Sequence, residues 1–592
     1  MAQQVAYNVI QGGEDLATPP MTVSPTRCSL ALNFECDKNG RMRRADGYER
    51  FDGRSVSESV ARATIAAPPG AGPVRGVWVY DDVVYAFRNN AANNACVMFK
   101  GTASGWVAVD LGATLAFTSG GTYEPQAGDT ITGATSASTA VITRVELASG
   151  TWAGGDAAGT LTVRAQSAAF VGENLNIGTN TNVATVAGDS AAVTLAAGGR
   201  YEFITYNTMA TGGGKKMYGV DGKNKLFQFD GTTFLQIATG YLPDTPVHVW
   251  GHKLHLLVAM ADGVVMNSGL KKPESFDAGD GAGYIGVSDF IVGFELGADE
   301  TAIMMGRNST HALYGASAAD WQVVRLSANT GAIEYTLQRF GSPLFMDDRG
   351  VTNIQAVQEY GNFKANSIAS PMAPFLDAKR ALVVGSSVCR EKGIYRVYFS
   401  DGYALSMTFY RDAATGRNAL GFARLLFPNH VSCVCSCELN SGKEVQYFGS
   451  TNGMVYKQDY GNSFDGAALN AKLTMHYNNL RLPRNKKRIN KVVAEIEAGG
   501  GTSVSMLVRF LNVYGITMDV DGSLDITGSG GVWDYSKWDQ FVWYDGGVNY
   551  AHLYVNGSGL GYSLSIRSST TEDQPYIVNG IITHYLVRGL QR

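Results

Sequence analysis

Short runs of alternating apolar and polar residues, broken by turn residues, recur along this chain. The stretch 74–89, VRGVWVYDDVVYAFRN, alternates, breaks at Asp81-Asp82, and alternates again. Period-two alternation sends successive side chains to opposite faces, so each run reads as a strand with one buried face. The form returns at 216–237, with DG turns at Asp221 and Asp230, and at 247–268. Weaker echoes follow at 301–315, 342–357, 393–409 and 444–461. The units recur at roughly 30–55 residues once 90–200 is set aside, and six or seven can be found. Repeated two-hairpin units at that period predict a β-propeller. A set of unrelated antiparallel sheets is the alternative.

Two regions break the repeat. Residues 113–197 are rich in Ala, Gly and Thr and contain no lysine or histidine. Short strands such as TAVITRVEL and GTLTVRA alternate there with Gly-rich turns, which predicts a small inserted β-domain. After 467 the strands lengthen (KVVAEIEA, SVSMLVRFLNV, YSLSIRSS, YIVNGIITHYLV), with turn signals between them, as in a β-sandwich. The start differs again. TPPMTVSPT (18–26) carries three prolines in nine residues and predicts extended chain. LALNFECD and RMRRADGYERF then read as two strands joined at Lys38-Asn39-Gly40, a hairpin whose Asn-Gly turn needs positive φ at both positions. The expected fold is all-β: an N-terminal arm and hairpin (1–60), a propeller (61–112 and 198–466), an inserted β-domain (113–197) and a C-terminal β-sandwich (467–592). Little helix is expected, with one short candidate at 57–66.

Composition agrees with a turn-rich β chain of several domains. The 592 residues include 71 glycines against 16 prolines, and glycine serves turns and bulges better than helices. The net charge of −4 argues against bulk nucleic-acid binding, although a local patch can hide in a neutral average. The start has neither a basic segment nor an apolar core of signal-peptide type, and no run of 18 apolar residues exists, so stable membrane insertion is not expected. Seven scattered cysteines fit synthesis in a reducing cytoplasm.

Candidate chemistry is sparse. HVWGHKLH places His248, His252 and His255 within eight residues, but with Gly251-His252-Lys253 read as a turn these are ordinary strand and turn histidines rather than a zinc set. Cys433, Cys435 and Cys437 alternate and share one strand face, without the CxxC spacing of metal or redox sites. TGGGKK (211–216) lacks the first Gly and the Ser/Thr of a phosphate loop. Asp81-Asp82, Asp347-Asp348 and Glu572-Asp573 read as turn formers rather than a glycosidase pair. Trp533, Trp538 and Trp543 cluster with acids and read as core or subunit contact, the alternative being stacking on sugars. RLPRNKKR (481–488) carries Arg481, Arg484, Lys486, Lys487 and Arg488, which suit either a solvated linker or contact with DNA or an acidic partner. No catalytic residue, cofactor site or metal site emerges.

The remaining basic cluster, Arg41, Arg43, Arg44, Arg50 and Arg54, sits in NFECDKNGRMRRADGYERFDGR. Its interleaved Asp37, Asp46, Glu49 and Asp52 make it self-compensating. Its arginines are expected to pair with acids of the adjoining domain or of a neighbouring subunit, which makes them candidate assembly residues. The segment around it resembles the start of the tail tubular protein B, or tail nozzle, family of short-tailed bacteriophages. The matching residues are Gln11, Gly12, Pro19, Pro20, Asn33, Asp37, Gly40, Arg43, Arg44, Gly47 and Tyr48. The 113–197 insert also looks like a small β-module of phage structural proteins. The resemblance implies a non-enzymatic virion protein made in the bacterial cytoplasm. It implies a ring of six copies below the portal–adaptor assembly, closing the distal DNA channel. The partners implied are the adaptor, tail fibres or spikes, and viral DNA bound without sequence specificity. The competing reading is a tail protein that binds or depolymerises host-surface carbohydrate.

Overall fold

The computed structural model describes residues 3–19, 22–57, 59–209, 214–297, 300–354, 367–412, 415–498, 501–512, 515–526, 548–571 and 573–590. Strands dominate, so the all-β class holds. An α-helix spans Ala373–Lys379, with proline in its first turn. It was not foreseen from the sequence. The helix expected at 57–66 is reduced to a 3-10 turn at Arg62–Thr64, with no side-chain cap.

The chain divides into two compact units. One holds 1–67, 295–312 and 324–592, the other 68–294 and 313–323. The second unit contains three sheets built on meanders of sequence neighbours, the first also joined by Leu195–Ala196, which pairs with Ala95–Thr102. They are built from Ala71–Tyr80, Val83–Asn89, Ala95–Thr102 and Gly105–Ala108; from Glu202–Tyr206, Lys216–Val220, Leu226–Phe229 and Phe234–Ile237; and from His248–His252, His255–Ala259, Val265–Asn267 and Gly283–Ile285. Phe87, Met217, Phe227 and Phe229 belong to one core shared by the first two sheets, and Tyr218, Val249 and Leu256 to one shared by the next two. The insert forms its own seven-stranded sheet within 113–192, over a core that includes Phe117, Ile131, Trp152 and Leu161. Asp81 and Asp82 both have positive φ, 47° and 61°, which makes the two-residue turn read from the sequence. The histidine turn is displaced. Positive φ falls on Lys253 and Leu254, so His252 ends its strand opposite His255 rather than lying in the turn.

The first unit is organised by the N-terminal arm. Its strands are β1 (Gln4–Val9), β2 (Cys28–Leu32), β3 (Phe34–Cys36), β4 (Met42–Arg44) and β5 (Tyr48–Phe51). Each of the two strands read from the sequence is split. Asn33, at φ 55°, breaks the first; its amide donates to the Asn470 carbonyl and its Oδ1 accepts from the Leu426 backbone N–H. The second breaks at Gly47, where an added Cβ would lie 2.1 Å from the Ser463 carbonyl oxygen. The hairpin turn is also longer than expected. Asp37 N–H donates to the Arg41 carbonyl, and only Gly40 of the loop has positive φ, 79°. The Asp37 carboxylate accepts from the Asn39 and Arg41 N–H groups, which selects a three-residue loop over the two-residue one.

Each arm strand joins a different partner. β5 completes the sheet of Val431–Glu438, Glu444–Ser450 and Val455–Gln458. β2 lies between Asn418–Leu426 and Ala471–Met475 in a nine-stranded sheet. That sheet runs from Val383–Cys389 to Gly515–Ile526, so strands from both sides of residue 467 belong to one sheet. β1 and β4 pair with Tyr576–Leu590, which also pairs with Asn485–Ala498. Val492, Ala494 and Ile496 of this sheet share one core with Val504, Val508 and Phe510 of the nine-stranded sheet. Each fully buried large apolar side chain there contributes about 1.5–3 kcal/mol.

Candidate functional site

The arm is held by backbone, aromatic and ionic contacts. Glu14 N–H donates to the Phe422 carbonyl at 2.7 Å, and Cys28 N–H to the Gly13 carbonyl at 2.9 Å. Gly13 has φ 71°, and a Cβ there would stand 2.0 Å from the Phe422 oxygen, so only glycine lets these backbones approach. The Tyr48 ring sits among Phe427, Phe448, Tyr456 and Phe464, with centroids 4.9–5.5 Å away. Its hydroxyl accepts from Asn429 N–H. Arg424 clamps buried Glu14 through two hydrogen bonds. Burial pushes the Glu14 carboxyl up to about 7, against the pull of Arg424.

Behind the arm lies a buried ionic cluster. Arg396, 1% exposed, donates to both oxygens of Glu35 on β3 (2.8 and 3.0 Å) and both of Asp459 (2.9 Å each). Gln446 Oε1 accepts a further bond at 2.9 Å. Lys392 Nζ stands 2.7 Å from Asp46 and 3.2 Å from Asp459. Arg43, opposite Glu35 in the hairpin, forms a two-pronged pair with Asp46 at 2.7 and 2.8 Å. Arg43, Lys392 and Arg396 thus face Glu35, Asp46 and Asp459, and the formal charge sums to zero. Burial opposes ionisation of Asp46, but Lys392 and Arg43 outweigh it and hold the carboxyl below its usual range. Arg396 and Lys392 likewise override burial at Asp459. The arrangement can hold β3 and β4 rigidly against the strands Ile394–Phe399 and Val455–Gln458. It can do little chemistry, because each charge already has its counter-charge.

The other arm arginines follow the same rule. Arg41 pairs with Asp37 and Glu497, Arg50 with Asp465, and Arg54 with Asp52. All these partners lie within the chain. Arg44 differs. It is fully buried, and donates to the Asn462 carbonyl, while its Nε and Nη1 have no hydrogen-bond partner in the structure. Burial lowers its pKa, so it is a structural residue rather than a surface contact. Of the second basic run, Arg481 and Arg484 are exposed and Lys486 is half-buried. Arg488 bonds Asn556. Lys487 is buried, donating to the Leu482 and Leu560 carbonyls at 2.6 Å each, and burial pulls its pKa down to about 8. It therefore cannot offer its ammonium to DNA or a partner, unlike the exposed members of the run.

The remaining candidates are structural where described. His248 Nδ1 meets Glu202 at 2.8 Å, and His252 is buried, with its pKa lowered by desolvation to about 4. Cys433 and Cys435 are buried and Cys437 partly so, and the last two bring their sulfurs within 3.2 Å on one strand face. Among the described residues no group of three or more His, Cys, Asp or Glu could hold a metal. Asp347 pairs with Arg349, and Asp348 with Arg307. Asp573 accepts from Ser503 and Thr570 N–H groups, in keeping with turn formation. Trp533, Trp538, Trp543, Glu572 and the first three residues of TGGGKK lie outside the described residues, and Lys216 begins the strand Lys216–Val220. The chain matches no family model and no curated protein.

Proposed function

We propose that this chain is a structural subunit of a short bacteriophage tail, a nozzle-type ring component that extends and closes the distal DNA channel. The observation that carries this reading is the arm. Five of the residues through which it resembles the nozzle family have architectural roles: Asn33 and Gly47 break strands, Gly40 closes the hairpin, Arg43 enters the neutral cluster and Tyr48 centres an aromatic core. A propeller is the architecture we assign to the repeats. Support comes from successive small sheets within 71–108, 202–237, 248–285, 291–327, 338–353 and 431–458, from the four-stranded meander 383–426 that continues into the nine-stranded sheet, and from the closing of the 431–458 sheet by β5. N-terminal closure of a final sheet is one way such a repeat protects its edges. The two sheets of the C-terminal region, sharing one core, suit a sandwich. Self-association into a closed ring of six copies, docking to an adaptor, and passage of DNA through the lumen complete the proposal. Electron microscopy of the purified chain, alone and with its virion partners, tests it. Closed rings are expected; a protein that stays monomeric and never enters particles overturns the reading. Release of reducing ends from host polysaccharide, lost on Asp→Asn substitution, would favour the depolymerase instead.

A further inference from the structure

The sheet that receives β1 has an outer face with little of the polarity expected in water. β1 pairs with Tyr576–Leu590, that strand with Asn485–Ala498, and that one with Val548–Gly559. An antiparallel sheet with one face on a core normally turns polar residues outward on the other. Here β1 turns out Val5, Tyr7 and Val9, and the strand at the far side turns out Val548, Tyr550 and Tyr554. Tyr7 is 53% exposed and Tyr554 75%. Covered aromatic side chains bury roughly 150–250 Å² each. Three tyrosines and three valines on one face therefore reach the few hundred Å² above which an exposed apolar patch marks a contact.

The register sets these residues in cross-strand rows. Val5, His584, Lys491 and Tyr554 form one row. Tyr7, Ile582, Val493 and His552 form the middle row, and Val9, Gly580, Glu495 and Tyr550 the third. Tyr7 lies over Gly580, its oxygen 2.8 Å from where a Cβ would stand, and its hydroxyl donates to Glu495 at 3.2 Å. Lys491 Nζ stands 5.3 Å from the Tyr554 ring centre. Glu497, one row further, pairs with Arg41. The Lys, Arg and Glu charges of the face thus sum to zero.

We infer that this face binds a second copy of the chain in a two-fold contact. The first and third rows match each other across the middle one. A two-fold axis along the middle row reverses the strand direction, so a copy laid face to face sets its Glu495 opposite Lys491 and its Lys491 opposite Glu495. Val5 then meets Val9, Tyr554 meets Tyr550, and His584 meets the gap at Gly580. Packed sheets keep their strands within about 30° of each other, which this axis permits. Charge selects the occupant. Nucleic acid requires an excess of cations, and a strongly acidic or basic protein requires one net sign. A neutral face whose opposite charges exchange places under a two-fold fits itself. Such a contact closes at two copies and builds no ring, so the inference goes beyond the ring reading and does not rest on it.

Sedimentation of the full chain across a dilution series tests the contact by charge exchange. The parent should pair in a concentration-dependent way, as dimers or, where rings form, as paired rings. Lys491→Glu brings like charges together at both symmetry-related positions, and so does Glu495→Lys. Each should weaken pairing about ten-fold or more, equivalent to roughly 1.4 kcal/mol. The double variant, and an equimolar mixture of the two single variants, set opposite charges face to face again and should recover pairing. Recovery in the mixture also shows that the single variants are folded. A parent that never pairs, single variants that pair as the parent does, or no recovery in the double variant and the mixture would overturn the inference. Binding to polysaccharide or lipid vesicles that is lost in Tyr554→Ala while pairing stays unchanged would give the face to another occupant and overturn it too. Single rings that never pair would sink this contact and leave the ring reading standing; pairs without rings would do the reverse.

Discussion

Arg396 shows how a single residue ties distant segments together. Its guanidinium joins Glu35, near the N-terminus, to Asp459, and its fork geometry lets it hold both carboxylates at once. Arg396→Met leaves two buried carboxylates short of a cation. It should destabilise the chain by about 3–5 kcal/mol, read as a lower urea midpoint. Adding Glu35→Gln should restore part of that loss; an unchanged midpoint in the single variant would show that the cluster does not hold the arm. The pH dependence has a definite sign. Asp46 and Asp459 titrate below their unfolded range, near 3.9, so their contribution is fully present above it and is lost as pH falls through their folded values. In Arg396→Met the Asp459 part of that acid loss should shrink. None of these pairings was legible beyond the expectation that the arginines meet acids. Charge pattern shows compensation, but partners more than 350 residues apart are found only by the fold.

At the level of elements, the alternation read from the sequence located most strands, including Ala71–Tyr80, Val83–Asn89 and Asn485–Ala498. It misjudged continuity where one residue leaves the β region. NFECD looked continuous with LAL, yet Asn33 at φ 55° sends β2 and β3 into different sheets. The histidine turn moved for a related reason, because Lys253 and Leu254 accept positive φ despite carrying side chains that resist it. Docking of the arm rests on Gly13. Gly13→Ala meets both an unfavourable φ and the Phe422 carbonyl, and should detach the segment from its sheet. Cys28, paired with that segment and fully buried, then becomes accessible. Alkylation followed by peptide mass analysis should show Cys28 labelled several-fold faster than in the parent chain, whereas parent-like labelling would place the arm's anchor elsewhere.

For the whole molecule, the consequence of intrachain pairing is that the two basic runs should behave differently. Charge reversal at Arg43 strikes a pair with Asp46 inside the chain, so any loss of assembly should be accompanied by a lower unfolding midpoint. Reversal at exposed Arg481 and Arg484 should leave stability within about 0.5 kcal/mol while weakening salt-dependent contact with DNA or an acidic partner. The two effects are separated by measuring melting and particle assembly on the same variants. A stable Arg43→Glu chain that fails to assemble would return Arg43 to a subunit interface.

The sequence by itself determined the class of this protein. Alternating short strands, glycine-rich turns and little helix follow from local rules of period and turn chemistry, and these survive in the folded chain. The Ala/Gly/Thr-rich stretch and its short alternating strands coincide with a seven-stranded sheet within 113–192. Tertiary structure decided what the arm does. Its strands pair with segments hundreds of residues away, and its charges are neutralised there. It also decided that Arg44 and Lys487 are buried while Arg481 and Arg484 remain exposed. Basic residues in a row look alike on paper. Arg481 and Arg484 lie in turns before the strand Asn485–Ala498, whereas Arg44 and Lys487 lie in strands, where successive side chains point to opposite faces and the covered face takes the buried one.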